Sequence, residues 1–288
     1  MKVIPLSDRG TVSIAGADAS ALLQGLVTCD VTQIQRAGIA YGALLTPQGK
    51  LLFDFILHGR GAAFVADLPL AAVEGFIKRL RMYKLRAKVD LEDCSEHLSV
   101  VQVPGEGDSG LDRVDPRHPG LGRRLVCAPE ALETLAGGAS AHAPLAAYHA
   151  ARIGLTIPEA PYDFDYGEVF PHDVALDALA GIAFKKGCYI GQEVVSRMQH
   201  RGTARRRVVR VDGEEDLPEP GTEILAGDRA IGALGSHSAA CGIAIVRLDR
   251  ARAAQIAGVD MLCGGRRVVL SIPDWASYSW PQASSAAE

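Results

Sequence analysis

Along the first ninety residues the spacing of apolar positions changes repeatedly. Val12 and Ile14 alternate with polar neighbours and lead through Gly16 to Asp18, an N-cap type of residue placed before Leu22, Leu23 and Leu26. A strand followed by a helix is predicted. A second strand pattern, residues 41–45, runs into the turn Pro47-Gln48-Gly49, and a third covers residues 51–57. In the third, Leu51, Phe53, Phe55 and Leu57 share one face and are expected in the core, while Leu52, Asp54, Ile56 and His58 share the other. That sets one carboxylate among apolar neighbours and singles out Asp54. Residues 71–86 follow helical spacing, with Phe76, Leu80 and Tyr83 flanked by Lys78, Arg79, Arg81 and Lys84.

Strand patterns at 98–103 and 121–127 precede helical patterns at 129–136 and 144–153, which predicts an α+β fold of sheet layered with helices. The Pro-, Gly- and Asp-rich stretch 103–122 reads as loop. From about Arg207 short β runs, 208–211, 231–234, 241–246 and 268–272, alternate with Gly and Pro turns and predict a small C-terminal β domain. After Pro281 the chain becomes rich in Ala and Ser, and a frayed end is expected there.

Composition narrows the class. A chain of 288 residues exceeds one ordinary domain, and its 48% hydrophobic and 22% charged residues give a globular balance. The longest apolar stretch, 62–73, is interrupted by Asp67 and Pro69 before the ~20 residues of a spanning helix, so no membrane association is expected. The opening residues MKVIPLSDRG lack the long apolar segment of a secretory signal, which gives a cytoplasmic expectation. A net charge of −4 argues against wholesale nucleic-acid binding. The six cysteines, Cys29, Cys94, Cys127, Cys188, Cys241 and Cys263, are scattered without a CxxC pair and read as reduced thiols.

The densest chemistry lies in residues 184–202, FKKGCYIGQEVVSRMQHRG. Two glycines bracket Cys188, a helical pattern begins at about Gln192, and Gly202 is a reasonable stop. A cysteine just before a helix N-terminus, beside Lys185 and Lys186, is placed to favour the thiolate. A small buried hydrophobe beside a tight turn is the alternative reading of the same residue. No GxxxxGK[ST] phosphate loop, HExxH zinc motif or GxSxG nucleophile elbow is present, and no metal site is expected. The arginines Arg197, Arg201, Arg205, Arg206, Arg207 and Arg210 form either a polyanion-binding run or a solvated face.

Taken together, Lys186-Gly187-Cys188-Tyr189-Ile190-Gly191-Gln192-Glu193 resembles the signature of the YgfZ-type folate-binding proteins. These are relatives of the glycine-cleavage T-protein that act in iron–sulfur cluster assembly or repair. Residues 24–28 (QGLVT) with Asp30-Val31, 45–50 (LTPQGK), 83–89 (YKLRAKV) and Phe170-Pro171-His172 resemble the family's other segments, in order and over nearly the whole chain. Arg197 stands at the arginine position that similar sequences place after the signature.

The resemblance implies a T-protein-like arrangement of three domains around a central opening where tetrahydrofolate can sit. The implied domains are 1–45 with 140–205, carrying the signature; 46–139; and 206–288, a β-barrel-like domain. Cys188 is implied as the reactive centre and Cys29 as a second thiol near the opening, with the other four cysteines expected in the core. Thr28, Asp30, Tyr148 and Asp54 are the implied folate-binding candidates. Three departures modify the expectation. Cys29 precedes Asp30 where Asn or Ala is common; Phe53-Asp54 replaces a pair of adjacent acids; and Arg152-Ile153-Gly154-Leu155-Thr156 lacks the Glu that can bond the pterin edge. An unpaired buried donor edge costs about 1–3 kcal/mol, so weak or altered folate binding is expected, unless Glu159, Asp163 or Asp173 compensates. Arg9 also replaces an aromatic at an implied folate position.

Three functions follow as expectations. The first is a tetrahydrofolate-binding accessory factor for iron–sulfur enzymes or their assembly proteins, with a link to tRNA modification, acting as a monomer through Cys188. The second is a folate-dependent aminomethyl or one-carbon transferase in which Asp54 is the surviving acid. The third is a module that binds RNA or an RNA-modifying enzyme through residues 197–210, although direct nucleic-acid contact is not expected from the overall charge.

Overall fold

The alternating patterns of the N-terminal half become two antiparallel sheets in a computed structural model that describes residues 2–105, 113–136, 142–202 and 204–282. Residues Met1–His149 with Leu179–Val194 form one compact unit; Ala150–Ala178 with Val195–Glu288 form a second. The first contains, in chain order, β1 (Ile4–Pro5), β2 (Arg9–Ala15), α1 (Ala19–Leu26), α2 (Val31–Ala37), β3 (Ile39–Leu45), β4 (Leu51–Arg60), β5 (Ala63–Pro69), α3 (Val73–Lys84), β6 (Asp90–Asp93), β7 (Ser99–Val103), β8 (Arg123–Cys127) and α4 (Ala131–Ala136). Helices α5 (Leu145–Gly154) and α6 (Gln192–Arg201) each carry the chain from the one unit into the other. The second adds β9 (Arg206–Gly213), β10 (Glu223–Ala226), β11 (Arg229–Ser238), β12 (Cys241–Arg247), α7 (Leu248–Ala257), β13 (Met261–Cys263) and β14 (Arg266–Ser271).

The larger sheet of the first unit has the order β3-β4-β5-β2-β6. The alternation read along β4 is correct in its facing and incomplete in its burial. Phe55 and Leu57 pack with Leu23, Leu26, Val31, Ile34, Phe76 and Leu80 of α1–α3, Leu51 is buried as well, and Phe53 is only partly buried, its ring 5.6 Å from that of Phe76. The opposite face is buried too: Asp54, Ile56 and His58 are all at most 3% exposed. A sheet covered on both sides must pair every polar group it hides. Asp67, opposite Ile56 in the register, takes Arg9 Nε and Arg124 Nε at 2.7 Å each; Arg124 comes from the three-stranded sheet β1-β7-β8.

Asp18 occupies the N-cap position of α1 as predicted, yet its carboxylate accepts the Lys88 N–H at 2.7 Å rather than capping the helix. The helix expected over 71–86 is shorter, because a 3₁₀ turn at Leu70–Ala72 precedes α3. The expected loop 103–122 contains a second 3₁₀ turn, Pro119–Leu121; its residues 106–112, the boundary at 139/140 and the tail from 283 lie outside the described residues.

In the second unit six strands close a barrel in the order β10-β11-β12-β9-β14-β13. Val209, Val211, Ile224, Ile231, Leu234, Val246 and Leu270 fill it. The four predicted β runs supply β9, β11, β12 and β14; the short strands β10 and β13 and the helix α7 were not predicted. Alpha7 buries Leu248, Ala251 and Ala254, and an alanine stripe carries too little apolar contrast to register as periodic. Among the described residues no helix is long and apolar enough to cross a membrane.

Candidate functional site

Three separate stretches of the first unit, 27–30, 45–50 and 181–194, are built onto one another. Thr28 is the joint of the first and third: its hydroxyl donates to Gly181 O at 2.6 Å and accepts from Ala43 N at 2.8 Å, and its own carbonyl takes the Ala183 N–H at 2.9 Å. Lys186 adds a charged clasp, with Nζ donating to Val27 O at 2.6 Å and Cys29 O at 2.8 Å. Its half-burial pulls the ammonium below its ordinary pKa, opposed by the nearby Asp30 carboxylate. The same ammonium lies 5.3 Å from the ring centroid of Tyr189, a cation–π contact. Burial pushes the Tyr189 hydroxyl up to about 12.

The second joint is steric. Residues 46–50 form a tight turn in which Gly49 N donates to Thr46 O at 2.9 Å and Lys50 N to Thr46 Oγ1 at 3.0 Å. Gly191, at φ +81°, comes so close that a Cβ would stand 2.6 Å from Thr46 O; one at Gly49 would stand 2.7 Å from the Val194 Cβ. Both glycines are therefore required by a close approach as well as by backbone conformation. Val194 thus packs on the turn, and the buried residue of α6 is its neighbour Val195.

Cys188 lies outside this clasp and is exposed, four residues before α6 begins. Cys29, one residue before the Asp30 N-cap of α2, points inward instead. It is 3% exposed, its Sγ packs where a Gly42 side chain would be, and burial raises its pKa to about 12. Of the four cysteines expected in the core only Cys263 is buried; Cys94, Cys127 and Cys241 are partly exposed. All six are free thiols.

The remaining nominated residues are dispersed. Asp30 caps α2, accepting Thr32 N at 3.1 Å and Thr32 Oγ1 at 2.7 Å, and these bonds, led by the threonine hydroxyl, lower its pKa. Asp54 accepts the Tyr41 hydroxyl at 2.9 Å. Tyr148 is buried and its hydroxyl accepts from Arg117 Nη2 at 3.0 Å and Arg124 Nη1 at 3.2 Å. Glu193 and Arg197 are exposed on α6, with Glu193 in the first turn, where the helix dipole favours an acid. Gln192 is half-buried, and its N–H donates to Tyr189 O at 3.3 Å. Gly187 is exposed, and nothing in the structure explains a glycine there.

The arginine run does not act as one patch. Arg207 is buried against Asp177 and Arg210 is held by Asp212, whereas Arg197, Arg201, Arg205 and Arg206 are exposed.

As a pterin site the set fits poorly within either unit. Thr28, Tyr148 and Asp54 are each buried with polar atoms committed to protein partners, and Gly154 is exposed and brings no carboxylate. Of the acids that could compensate, Asp163 takes Arg152 Nη1 at 2.7 Å and Ser236 N at 2.7 Å, and Asp173 takes Phe170 N at 3.0 Å. Sequence reasoning missed the Asp67–Arg9–Arg124 network. Its signal was present: Asp67 interrupts the apolar stretch 62–73, and a carboxylate flanked by strand residues needs a buried partner.

With this geometry in hand, comparison with known proteins is informative. Residues 205–278 match the family model described as CAF17, C-terminal beta-barrel domain, which covers the barrel almost strand for strand. Aminomethyltransferase T of the glycine cleavage system from Bartonella henselae has a similar fold, with a TM-score of 0.67 at 14% identity over 94% of this chain and 84% of that one. An iron-sulfur cluster assembly factor IBA57 homolog, mitochondrial, from Mycosarcoma maydis is 31% identical over 72% of this chain and 56% of its own length. The mouse IBA57 is 29% identical over 97% of this chain and 85% of its own. The chain belongs to the YgfZ/IBA57 family of T-protein-like folds. This YgfZ/IBA57-family chain spans 56, 55 and 52% of the length of three fungal relatives, so it matches about half of each. The names of these relatives are mitochondrial, which overturns the cytoplasmic expectation. The inference failed because a leader for mitochondria is amphipathic and basic, so a missing apolar segment does not bear on it.

Proposed function

We propose that this chain is an iron–sulfur cluster assembly or repair factor whose working group is the Cys188 thiol. The observation that carries the reading is the construction of the signature loop. Lys186 and Gly191 are committed to the underlying backbone, the Tyr189 ring is buried beside the Lys186 ammonium, and the most exposed of the six cysteines stands between them. A loop held so firmly presents a thiol in a defined position to a partner protein. The curated relatives with this signature's fold bear names of iron–sulfur cluster assembly factors, and the partners expected are accordingly iron–sulfur enzymes or assembly proteins. Among the described residues no group of three or more His, Cys, Asp or Glu side chains is arranged to hold a metal ion. A cluster would thus be cargo met at a surface, with ligands from the partner as well.

Tetrahydrofolate enters this reading as a weak ligand, for the reason given by Gly154. Transfer chemistry through Asp54 gains no support, since that carboxylate is 3% exposed and bonded to Tyr41. In cells lacking the factor, Cys188→Ala is expected to leave iron–sulfur enzyme activity unrestored while the purified variant unfolds at the wild-type temperature. Full restoration removes the thiol from the mechanism. For the ligand, Gly154→Glu returns an acceptor at an exposed position with no atom within 4 Å of the new Cβ. Tetrahydrofolate titration is expected to show affinity rising by about one decade; an unchanged affinity means that residue 154 does not face the pterin.

A further inference from the structure

The second unit contains a pocket of about 480 Å³ that the motif reading does not use, lined among others by Met198, Gln199, Arg205, Arg207, Ser277 and Tyr278. Its fixed element is Arg207. The residue is 8% exposed; Nη1 donates to Asp177 Oδ1 at 2.7 Å and to His172 O at 2.8 Å, and the guanidinium carbon lies 4.5 Å from the centroid of the Tyr278 ring. Tyr278 is itself pinned by its hydroxyl, which donates to Val208 O at 2.8 Å. A planar cation held along one edge and against one face keeps its other donors in a set direction, and Nε and Nη2 make no hydrogen bond among the described residues.

Arg205, two residues earlier and exposed, lines the same pocket with no side-chain partner among the described residues. The carboxylates at hand are already spent: Asp177 on Arg207, and Asp249 on Arg247 at 2.7 Å. Gln199 faces His172 Nε2 with its Oε1 at 3.1 Å, which leaves its amide N–H groups as donors, and the Ser277 hydroxyl adds another. Both acids line the pocket, so with Arg247 counted three guanidiniums stand against two carboxylates, each already paired, and the excess positive charge is that of Arg205. Purely structural use of Arg207 accounts for the Asp177 pair, yet not for Arg205 beside it.

We propose that this pocket binds a small organic oxyanion, phosphate or carboxylate, held by Arg205 and Arg207. Guanidinium groups recognise both through paired N–H bonds, and the volume is that of a small-molecule site. Met198 and Leu248 form the apolar part of the wall against which the ligand's carbon skeleton rests.

The test is calorimetric titration of the full chain at low salt with two probes, inorganic pyrophosphate and tricarballylate, repeated with Arg205→Gln and Arg201→Gln. Arg201 belongs to the same run and is exposed, but it does not line the pocket. Saturable single-site binding is expected, weakened about tenfold by Arg205→Gln and less than about twofold by Arg201→Gln. The probe that binds identifies the source of the charge, and binding of both assigns the shared oxyanion chemistry. The proposal is overturned if neither probe saturates by about 10 mM, or if both substitutions weaken binding equally, which is the signature of diffuse charge.

Discussion

Substituting Gly191 with alanine isolates the joint between the signature loop and the 46–50 turn. At φ +81°, an L-residue there pays about 1–2 kcal/mol for its backbone alone. The added methyl would also stand 2.6 Å from Thr46 O and 3.1 Å from the Leu45 Cβ, and overpacking of this kind costs about 1–3 kcal/mol. If the loop stays docked the sum is roughly 2–5 kcal/mol, a large part of the ~5–15 kcal/mol that holds a protein folded. Release of the loop offers an alternative, at the expense of the two Lys186 bonds, each about 1.5–3 kcal/mol as a charged hydrogen bond. Either route has a readout. Urea unfolding gives the global loss, and hydrogen exchange at Ala183 and Lys50 reports release, because those amides bond Thr28 O and Thr46 Oγ1. Gly61→Ala is the control: its φ is +60°, and no atom lies within 4 Å of the added Cβ, so it carries the backbone cost without the collision. Gly191→Ala is expected to lose the packing cost beyond Gly61→Ala, or to lose protection at Ala183. Equal losses with unchanged protection would refute the joint.

Two further predictions concern the buried face of the larger sheet. Asp67→Asn leaves Arg9 and Arg124 buried without their shared carboxylate and is expected to cost about 3–5 kcal/mol in urea unfolding. A loss under about 1 kcal/mol means the arginines are held by other contacts. His58 is fully buried beside Asp67 with Arg124 and Arg113 nearby, and neither ring nitrogen has a hydrogen-bond partner among the described residues. Burial holds its pKa below the ordinary 6.5, so the unfolded chain takes up a proton near that pH that the folded chain refuses. Stability is therefore complete above pH 6.5 and falls as the pH drops below it towards the folded value. His58→Leu is expected to be as stable as the wild type near neutral pH, and to lose less on acidification. Part of the fall persists, since burial lowers the pKa of His172 in the same direction. Melting temperatures compared at about pH 7.5 and 5.5 decide it: an unchanged difference assigns the acid sensitivity elsewhere.

Much of the chain was legible because local patterns carry it. Period-two alternation located β4, helical spacing located α3 and α6, and the Gly- and Pro-bounded β runs located four of the six barrel strands. The eight-residue signature pointed to the family and to Cys188 because its residue types are unusual together at that spacing. Other properties depended on which distant residues meet. Alternation along β4 could not reveal that its second face is also buried, since the groups that meet this side of the sheet, Arg124 bonded to Asp67 beside Ile56 and Val126 O bonded by Arg60, belong to β8, more than sixty residues further on. The spacing of Lys186 and Cys188 suggested an ammonium beside a thiol, but tertiary packing turns that ammonium onto the carbonyls of Val27 and Cys29. Nor could Cys29 and Cys188 be told apart by type: a thiol becomes inert when the fold removes water from it, and only the structure shows that Cys29 loses its water and Cys188 does not. A sequence states which groups are available and which local shapes they prefer. Whether a group is spent on its own fold or offered to a partner is decided by close packing among segments far apart in the chain, because hydrogen-bond capacity and exposure are properties of that packing.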